Sequence, residues 1–376
     1  MVAIDSYAGG DGRLSPLSTP SATRAVLEAH GIGTKYTLGQ NFLVNDDVLK
    51  KIVALAEVGE NDRILEVGPG IGTLTIALLK HAASVIAIER DPDLPAVLAD
   101  TLHPWREKFA LIEKDALDVT RDDIVSVAST MVEPGGDAGC LDRASSAANE
   151  TAQWAGLSES RYRVAVPQEE LRPSLPSKLV ANLPYAVAAT VVLDYFESFP
   201  FLDSATIMVQ KEVADRMAAA VGTKNYGAYT VKLGLYVEPA GRFAVGPGNF
   251  FPPPRVDSAV IRLNRRVPLM ADGAPASPEV IAAAALMADA AFTNRRKTIA
   301  NSCKTYFSGR GPISLGAGPS AQEGAPGIVL PDGAAIAERL AAIFDAATID
   351  PRRRGETLTQ QEFLALGAAL LKVTAA

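Results

Sequence analysis

The sequence predicts an α/β fold, an open, doubly wound parallel sheet followed by a smaller, mainly helical C-terminal domain. Three observations predict it. Short apolar runs at 63–67, 84–88, 109–113 and 178–181 read as buried strands. A glycine turn at 68–72 joins the first run to a helical stretch, the strand–turn–helix unit of doubly wound sheets. Ala-rich stretches at 279–292, 333–346 and 359–372 carry helical periodicity.

In chain order, residues 1–20 read as a disordered tail, with Gly9-Gly10, Gly12, Pro16 and Pro20. Residues 22–30 read as a short helix and 45–56 as a second, capped by Asn45. The main domain is placed at 21–266, with an interruption at about 132–176 that begins Glu133-Pro134-Gly135-Gly136. That stretch reads as an inserted, mobile surface loop. Its seven acids against four bases argue against contact with a polyanion. The C-terminal domain covers 267–376, with a Gly-, Pro- and Ser-rich loop at about 308–328.

The glycine turn is Gly68-Pro69-Gly70-Ile71-Gly72. Glycine lets backbone approach a ligand where a Cβ would collide, so Gly68 and Gly70 are candidate cofactor contacts. The spacing differs from the G-x-G-x-x-G of dinucleotide enzymes. Pro69 also removes an amide that a pyrophosphate would use. A cofactor without phosphates fits better, and S-adenosylmethionine has none. Glu89 ends the second strand, 21 positions after Gly68, where an acid accepts from both ribose hydroxyls. The alternative is an N-terminal charge for a helix at 91–102. Asp115 ends the third strand, placed to accept from an adenine amino group, with the Ala116 amide for a ring nitrogen. All lie on the carboxyl edge of one Rossmann-like sheet, where such folds bind ligands.

The fourth run ends in Asn182-Leu183-Pro184-Tyr185. Pro184 fixes φ and removes a donor, and it biases Leu183 away from the helical region. The Asn182 and Leu183 carbonyls and the Asn182 side-chain oxygen are left to point at one spot beside the Tyr185 face. Acceptors plus a stacking plate suit a planar base with an exocyclic amine. The alternative is a strand-end turn with a buried tyrosine.

These motifs resemble the KsgA/RsmA family of ribosomal RNA adenine N6-dimethyltransferases. The resemblance rests on 35–43 (Lys-Tyr-Thr-Leu-Gly-Gln-Asn-Phe-Leu), the glycine loop at 66–75, Glu89, Asp115-Ala116-Leu117 and the 182–185 tetrad. Residues 210–214, 250–258 and 292–299 continue it in the family's order. It covers roughly 22–308. It implies a class I S-adenosylmethionine-dependent methyltransferase domain, with Asn41, Leu43, Gly68, Glu89, Asp115 and Asn182 as cofactor contacts. It also implies that Asn182 and Tyr185 hold the target adenine and that Phe250 supplies a second aromatic wall. The implied substrate is a pair of adjacent adenines near the 3′ end of small-subunit ribosomal RNA, each dimethylated, in an immature small subunit. Many members have Asn-Ile-Ser-Thr after the tetrad, whereas this chain has Ala186-Val187-Ala188-Ala189-Thr190.

An adenine N6 is a weak nucleophile because its lone pair is delocalised into the ring. The Asn182 oxygen and a backbone carbonyl of Leu183 or Pro184 would draw it toward a tetrahedral nitrogen and stabilise the charge growing there. The base must leave its stack, and Tyr185 is the plate that receives it. Small residues at Ala186, Ala188 and Ala189 leave room for an amine already carrying one methyl.

Composition agrees. Two cysteines, Cys140 and Cys303, make neither a disulfide framework nor a metal site. No apolar run is long enough to span a bilayer, and the N-terminus carries no signal-peptide pattern. A cytoplasmic, monomeric enzyme without metal or membrane partner is expected. A net charge of −7 is acidic for an RNA binder, so local clusters must contact phosphates. Three are available: Arg295, Arg296, Lys297 and Lys304; Arg262, Arg265 and Arg266; Lys35, Lys50 and Lys51. The other readings are a large-subunit RNA methyltransferase of the macrolide-resistance type and a non-catalytic assembly factor.

Overall fold

A Pro at the first helical position and the Thr19 side chain, which accepts from the Ala22 amide, start α1 (Pro20–Ala29). β1 is Phe42–Leu43. Asn45 accepts from the Asp47 and Val48 amides and opens α2 (Asp46–Ala56), the expected cap. In this computed structural model, residues 12–33, 40–131, 174–310, 313–314, 327–328 and 334–375 are described. The Asp46 carboxylate accepts from the Leu14 and Ser15 amides at 2.8 and 3.2 Å, and Leu17 is buried. Residues 12–19 are therefore packed, which corrects the disordered tail expected over 1–20. One carboxylate satisfies amides that Gly and Pro content alone suggested were left to water. Residues 1–11 lie outside the described residues.

Four strand–helix units follow. They are β2 (Arg63–Val67) with α3 (Thr73–Leu79), β3 (Ser84–Glu89) with α4 (Leu94–Thr101), β4 (Phe109–Glu113) with α5 (Arg121–Thr130), and β5 (Lys178–Asn182) with α6 (Ala188–Ser198). Next come β6 (Ser204–Gln210), α7 (Lys211–Met217), α8 (Ala228–Gly234), β7 (Val237–Val245), β8 (Phe250–Phe251) and β9 (Ser258–Arg265). The main sheet has the order β4-β3-β2-β5-β6-β9-β7. β2 to β6 pair in parallel, while β9 runs antiparallel to β6 and β7 antiparallel to β9. The strand order reverses between β2 and β5, and open sheets form their ligand crevice at such a reversal. β1 pairs with β8 beside that crevice.

Alternation along the strands sends successive side chains to opposite faces. Leu65, Val67, Ile86 and Ile88 pack with Ile124, Val191 and Phe196 on the α5–α6 face. Ile64, Val85 and Val180 pack with Leu49, Leu74 and Val97 on the α2–α4 face. Glu66, between Leu65 and Val67, falls on the α3 face in an otherwise apolar row.

The C-terminal helices are α9 (Pro278–Phe292), α10 (Ile299–Phe307), α11 (Ala334–Ala346) and α12 (Gln360–Ala375). Met287, Ile299, Phe307, Phe344, Phe363 and Leu370 join in one buried cluster between them. Gly367 permits the close approach of α12 to α9, since a Cβ there would lie 2.6 Å from the Ala284 nitrogen and the Val280 carbonyl. Within the loop expected at 308–328, β10 (Ile313–Ser314) pairs with β11 (Gly327–Ile328). Of the insertion expected at 132–176, only the last residues are described, and Leu175 there is buried.

Candidate active site

The carboxyl ends of β4, β3, β2 and β5 open into one cavity of about 490 Å³. Asn41, Leu43, Gly68, Gly70, Glu89, Asp115 and Ala116 line it, together with all four tetrad residues. Sheet order therefore lays out a path. Asp115 stands at one end, Glu89 comes next, the glycine turn lies in the middle, and Asn182 lies beyond it.

Gly68 and Gly70 hold φ of 70° and 59°, the left-handed region that glycine reaches without strain. A Cβ on Gly70 would meet the Phe42 ring at 3.1 Å. Glu89 is 8% exposed, and its Oε1 accepts from the Arg90 and Asp91 amides at 2.9 and 2.8 Å. Burial raises its pKa from the ordinary value, against the opposing pull of the Asp91, Arg90 and Gly70 amides. Those bonds fix the carboxylate, and α4 begins only at Leu94, which disfavours the helix-charge reading. Asp115 Oδ1 accepts from the Leu117 amide at 3.1 Å and Oδ2 from Arg90 at 2.8 Å. The half-exposed ion pair is weak, so an adenine amine can compete for it. The Ala116 carbonyl accepts from the buried Tyr195 hydroxyl at 3.0 Å, which pins this end of the cavity.

At the other end, the Asn182 amide donates to the Asn41 carbonyl at 3.2 Å. That bond orients the side chain and leaves its oxygen as an acceptor. The Leu183 amide donates to Met208 at 3.1 Å. The Pro184 carbonyl accepts from the Val187 and Ala188 amides at 3.2 and 3.1 Å. This narrows the expectation of an acceptor at Leu183 or Pro184. The Pro184 carbonyl is taken up by the first turn of α6, which leaves Leu183 as the candidate backbone acceptor. Tyr185 is half-buried, and its hydroxyl meets the Ser258 hydroxyl at 2.5 Å. Ser258 is fully buried at the start of β9.

Phe250 is a correction. The expected second aromatic wall is only 4% exposed, lies outside the cavity lining, and packs with Phe42 and Leu43. Pairing of β8 with β1 turns the ring into the core. Two residues with no role from sequence now gain one. Ser258 holds the Tyr185 plate, a pairing across distant sequence with no local signal. Glu66 lines the cavity at 1% exposure, and its Oε2 has no hydrogen-bond partner. An acid inside an apolar strand was its sequence signal.

The basic clusters divide. Arg262 donates to the Leu55 carbonyl and pairs with Glu57, Arg265 donates to the Phe196, Phe199 and Leu202 carbonyls, and Arg266 donates to Gln360. That cluster is structural, because partly buried guanidiniums need internal acceptors, and this corrects the phosphate role expected of it. Lys50 pairs with Asp46 and Asp47, and Lys35 lies outside the described residues. Arg295 is held by Glu356 and the Thr223 carbonyl. Arg296, Lys297 and Lys304 are exposed. The Ile299 and Ala300 amides bond to the Arg353 and Pro351 carbonyls at 2.7 and 3.2 Å, which sets exposed Arg352 and Arg354 beside them. The run Pro351-Arg352-Arg353-Arg354 was the overlooked signal.

The cavity suits a cationic nucleoside that lacks phosphates. Among the described residues it presents Glu66, Glu89 and Asp115, while the two cations that line it, Arg90 and Lys114, are engaged by Asp115 and Asp123. Among the described residues, no cluster of three or more His, Cys, Asp or Glu could hold a metal ion.

Residues 33–311 match the family model described as ribosomal RNA adenine dimethylase. The ribosomal RNA small subunit methyltransferase A of Geobacillus sp. is 34% identical over 357 residues, covering 95% of this chain and 98% of that protein. Its namesake from Corynebacterium jeikeium is 33% identical over 377 residues, covering 94% and 96%. Among solved structures, a dimethyladenosine transferase from Plasmodium falciparum superposes with a TM-score of 0.57 at 19% identity, covering 88% of this chain and 98% of that one. The 23S rRNA methyltransferase ErmE gives 0.50 at 21% identity, covering 88% and 99%. The two structural likenesses speak for the Rossmann-like methyltransferase fold alone. Taken with the sequence matches, they lead to one conclusion: the chain belongs to the ribosomal RNA adenine dimethylase family.

Proposed function

We propose that this enzyme dimethylates N6 of two adjacent adenines near the 3′ end of small-subunit ribosomal RNA, with S-adenosylmethionine as methyl donor. One observation carries the reading. Polar groups at the ends of β4, β3 and β5, from Asp115 to Asn182, and the glycine turn after β2 face one cavity that ends in a Tyr185 plate.

Asp115 and Ala116 hold the adenine end of the cofactor, Glu89 its ribose, and Gly68 and Gly70 its middle. Leu43 of β1 and Asn41 just before it close the pocket. When bound, the cofactor supplies an electrophilic methyl on a positively charged sulfur and departs neutral. The Asn182 oxygen and the Leu183 carbonyl accept from the target amine and turn its lone pair toward that methyl. Both oxygens stabilise the positive charge that develops on nitrogen. Tyr185, braced by Ser258, stacks on the extruded base. No strong base is needed, and none of His30, His81 and His103 lines the cavity. Most of the rate comes from alignment.

The substrate particle in this reading is an immature small subunit. The helical lobe at 267–376 and the main domain at 21–266 form its cleft, with the exposed cations around Arg296 and Arg354 on the phosphates. The enzyme acts as a monomer in the cytoplasm. No helix among the described residues is long and apolar enough to cross a membrane. The test is to incubate protein, labelled methyl donor and undermethylated small subunits, then map the modified nucleotides. Label outside the 3′-terminal adenines, or in the large subunit, refutes the proposal.

A further inference from the structure

We propose that Glu66 is a proton-linked anchor for the amino-acid arm of the cofactor: neutral in the cofactor-free protein, it gives up its proton as the arm's ammonium arrives. The inference rests on the cofactor reading above and concerns a residue that reading does not use.

Position comes first. Along the sheet edge, the adenine contacts end β4, the ribose acid ends β3, and the target-amine acceptors follow β5. Glu66 is on β2, between the ribose acid and those acceptors, where the amino-acid arm must lie. Its side chain is 1% exposed and lines the cavity. Glu66 Oε2 is unpartnered, and so is the buried Thr73 hydroxyl on α3. Thr73 also lines the cavity. Buried polar atoms are almost always satisfied, so the unpartnered carboxyl oxygen points to a donor that binding brings. A sulfonium has no N–H or O–H, whereas an ammonium has three donors.

The surroundings set the proton balance. Glu89 faces Glu66 from β3 with like charge. α3 contributes hydroxyls only, and β5 contributes Asn182. Lys178, at the other end of β5, is held by Asp62 at 2.7 Å. Arg90 and Lys114 are engaged by Asp115 and Asp123, and Asp91 accepts from Gln40. Among the described residues, no free cation therefore stands beside Glu66 before the cofactor does. Burial pushes its carboxyl up to about 8, with Thr75 opposing and Glu89 adding to the rise. At neutral pH the group holds a proton, and an ammonium beside it favours the carboxylate. The proton passes to buffer.

The experiment is isothermal titration calorimetry at pH 7 in buffers of different ionisation enthalpy. S-adenosylhomocysteine has the same amino-acid arm, and methylthioadenosine lacks it. The wild-type protein should release about one proton with the former and none with the latter, and affinity for the former should rise about tenfold from pH 6 to pH 7. Glu66→Gln should release none and lose the pH dependence, while its melting curve shows that it folds. Wild-type binding of S-adenosylhomocysteine with a buffer-independent enthalpy overturns the proposal. So does an equal proton release from Glu66→Gln or with methylthioadenosine. The wild-type titrations decide the matter even if the variant does not fold. Absence of all binding overturns the cofactor reading and this inference together.

Discussion

Replacing Tyr185 by Phe and by Ala separates its hydroxyl from its ring. The hydroxyl meets Ser258 at 2.5 Å, and Ser258 is fully buried. Tyr185→Phe strands that serine, a stability loss of about 1–2 kcal/mol. The ring face survives, so only precision of placement is lost, about 1 kcal/mol or roughly fivefold in rate. Tyr185→Ala removes the stacking surface as well, worth about 1–3 kcal/mol more, and slows transfer roughly 5- to 150-fold beyond the Phe variant. Single-turnover transfer of labelled methyl to undermethylated small subunits measures both rates, with urea midpoints recorded alongside. A folded Phe variant as slow as the Ala variant would refute the idea that the ring face receives the base.

Asn182→Ala should cost about 10²- to 10³-fold in single-turnover rate, as loss of one charge-stabilising group does elsewhere; a rate near that of the parent sinks the acceptor argument. Charge reversal at Arg296 and Lys297 together should weaken small-subunit binding and flatten its salt dependence by about two phosphate contacts, read as the slope of log K against log salt. Gly367→Ala places a Cβ 2.6 Å from backbone of α9, so a lower urea midpoint is expected, by about 1–3 kcal/mol. Glu66 binds its proton more tightly folded than unfolded. Without cofactor, stability should therefore be fully present below the ordinary value of 4.5 and be lost as pH rises toward about 8; Glu66→Gln should remove that slope in melting curves.

The parallel half of the sheet was legible because each strand announces itself. Val85, Ile86 and Ile88 are flanked by a loop and an acid, and the glycines after Val67 permit a positive-φ turn that other residues rarely adopt. The strand-end polar residues were legible for the same reason, since position in the unit fixes position on the edge. Partnerships across the chain were not. Arg265 reads as a surface cation until its carbonyl acceptors appear. Phe250 reads as a site aromatic until β8 pairs with β1. The Pro184 carbonyl looks free until α6 starts on it. In each case the deciding partner is set by tertiary packing rather than by neighbours in sequence.

β9 carries Ser258 at its first residue and Arg265 at its last, a run of extended chain spanning about 24 Å. Its far end grips the carbonyls that close α6, and α6 begins on the Pro184 carbonyl. The tetrad thus belongs to a closed circuit that returns to Tyr185 from behind. A lesion at Arg265, remote from any reacting atom, would surface as slowed chemistry with normal donor affinity, and distance from the methyl group is a poor guide to which changes in this enzyme are harmless.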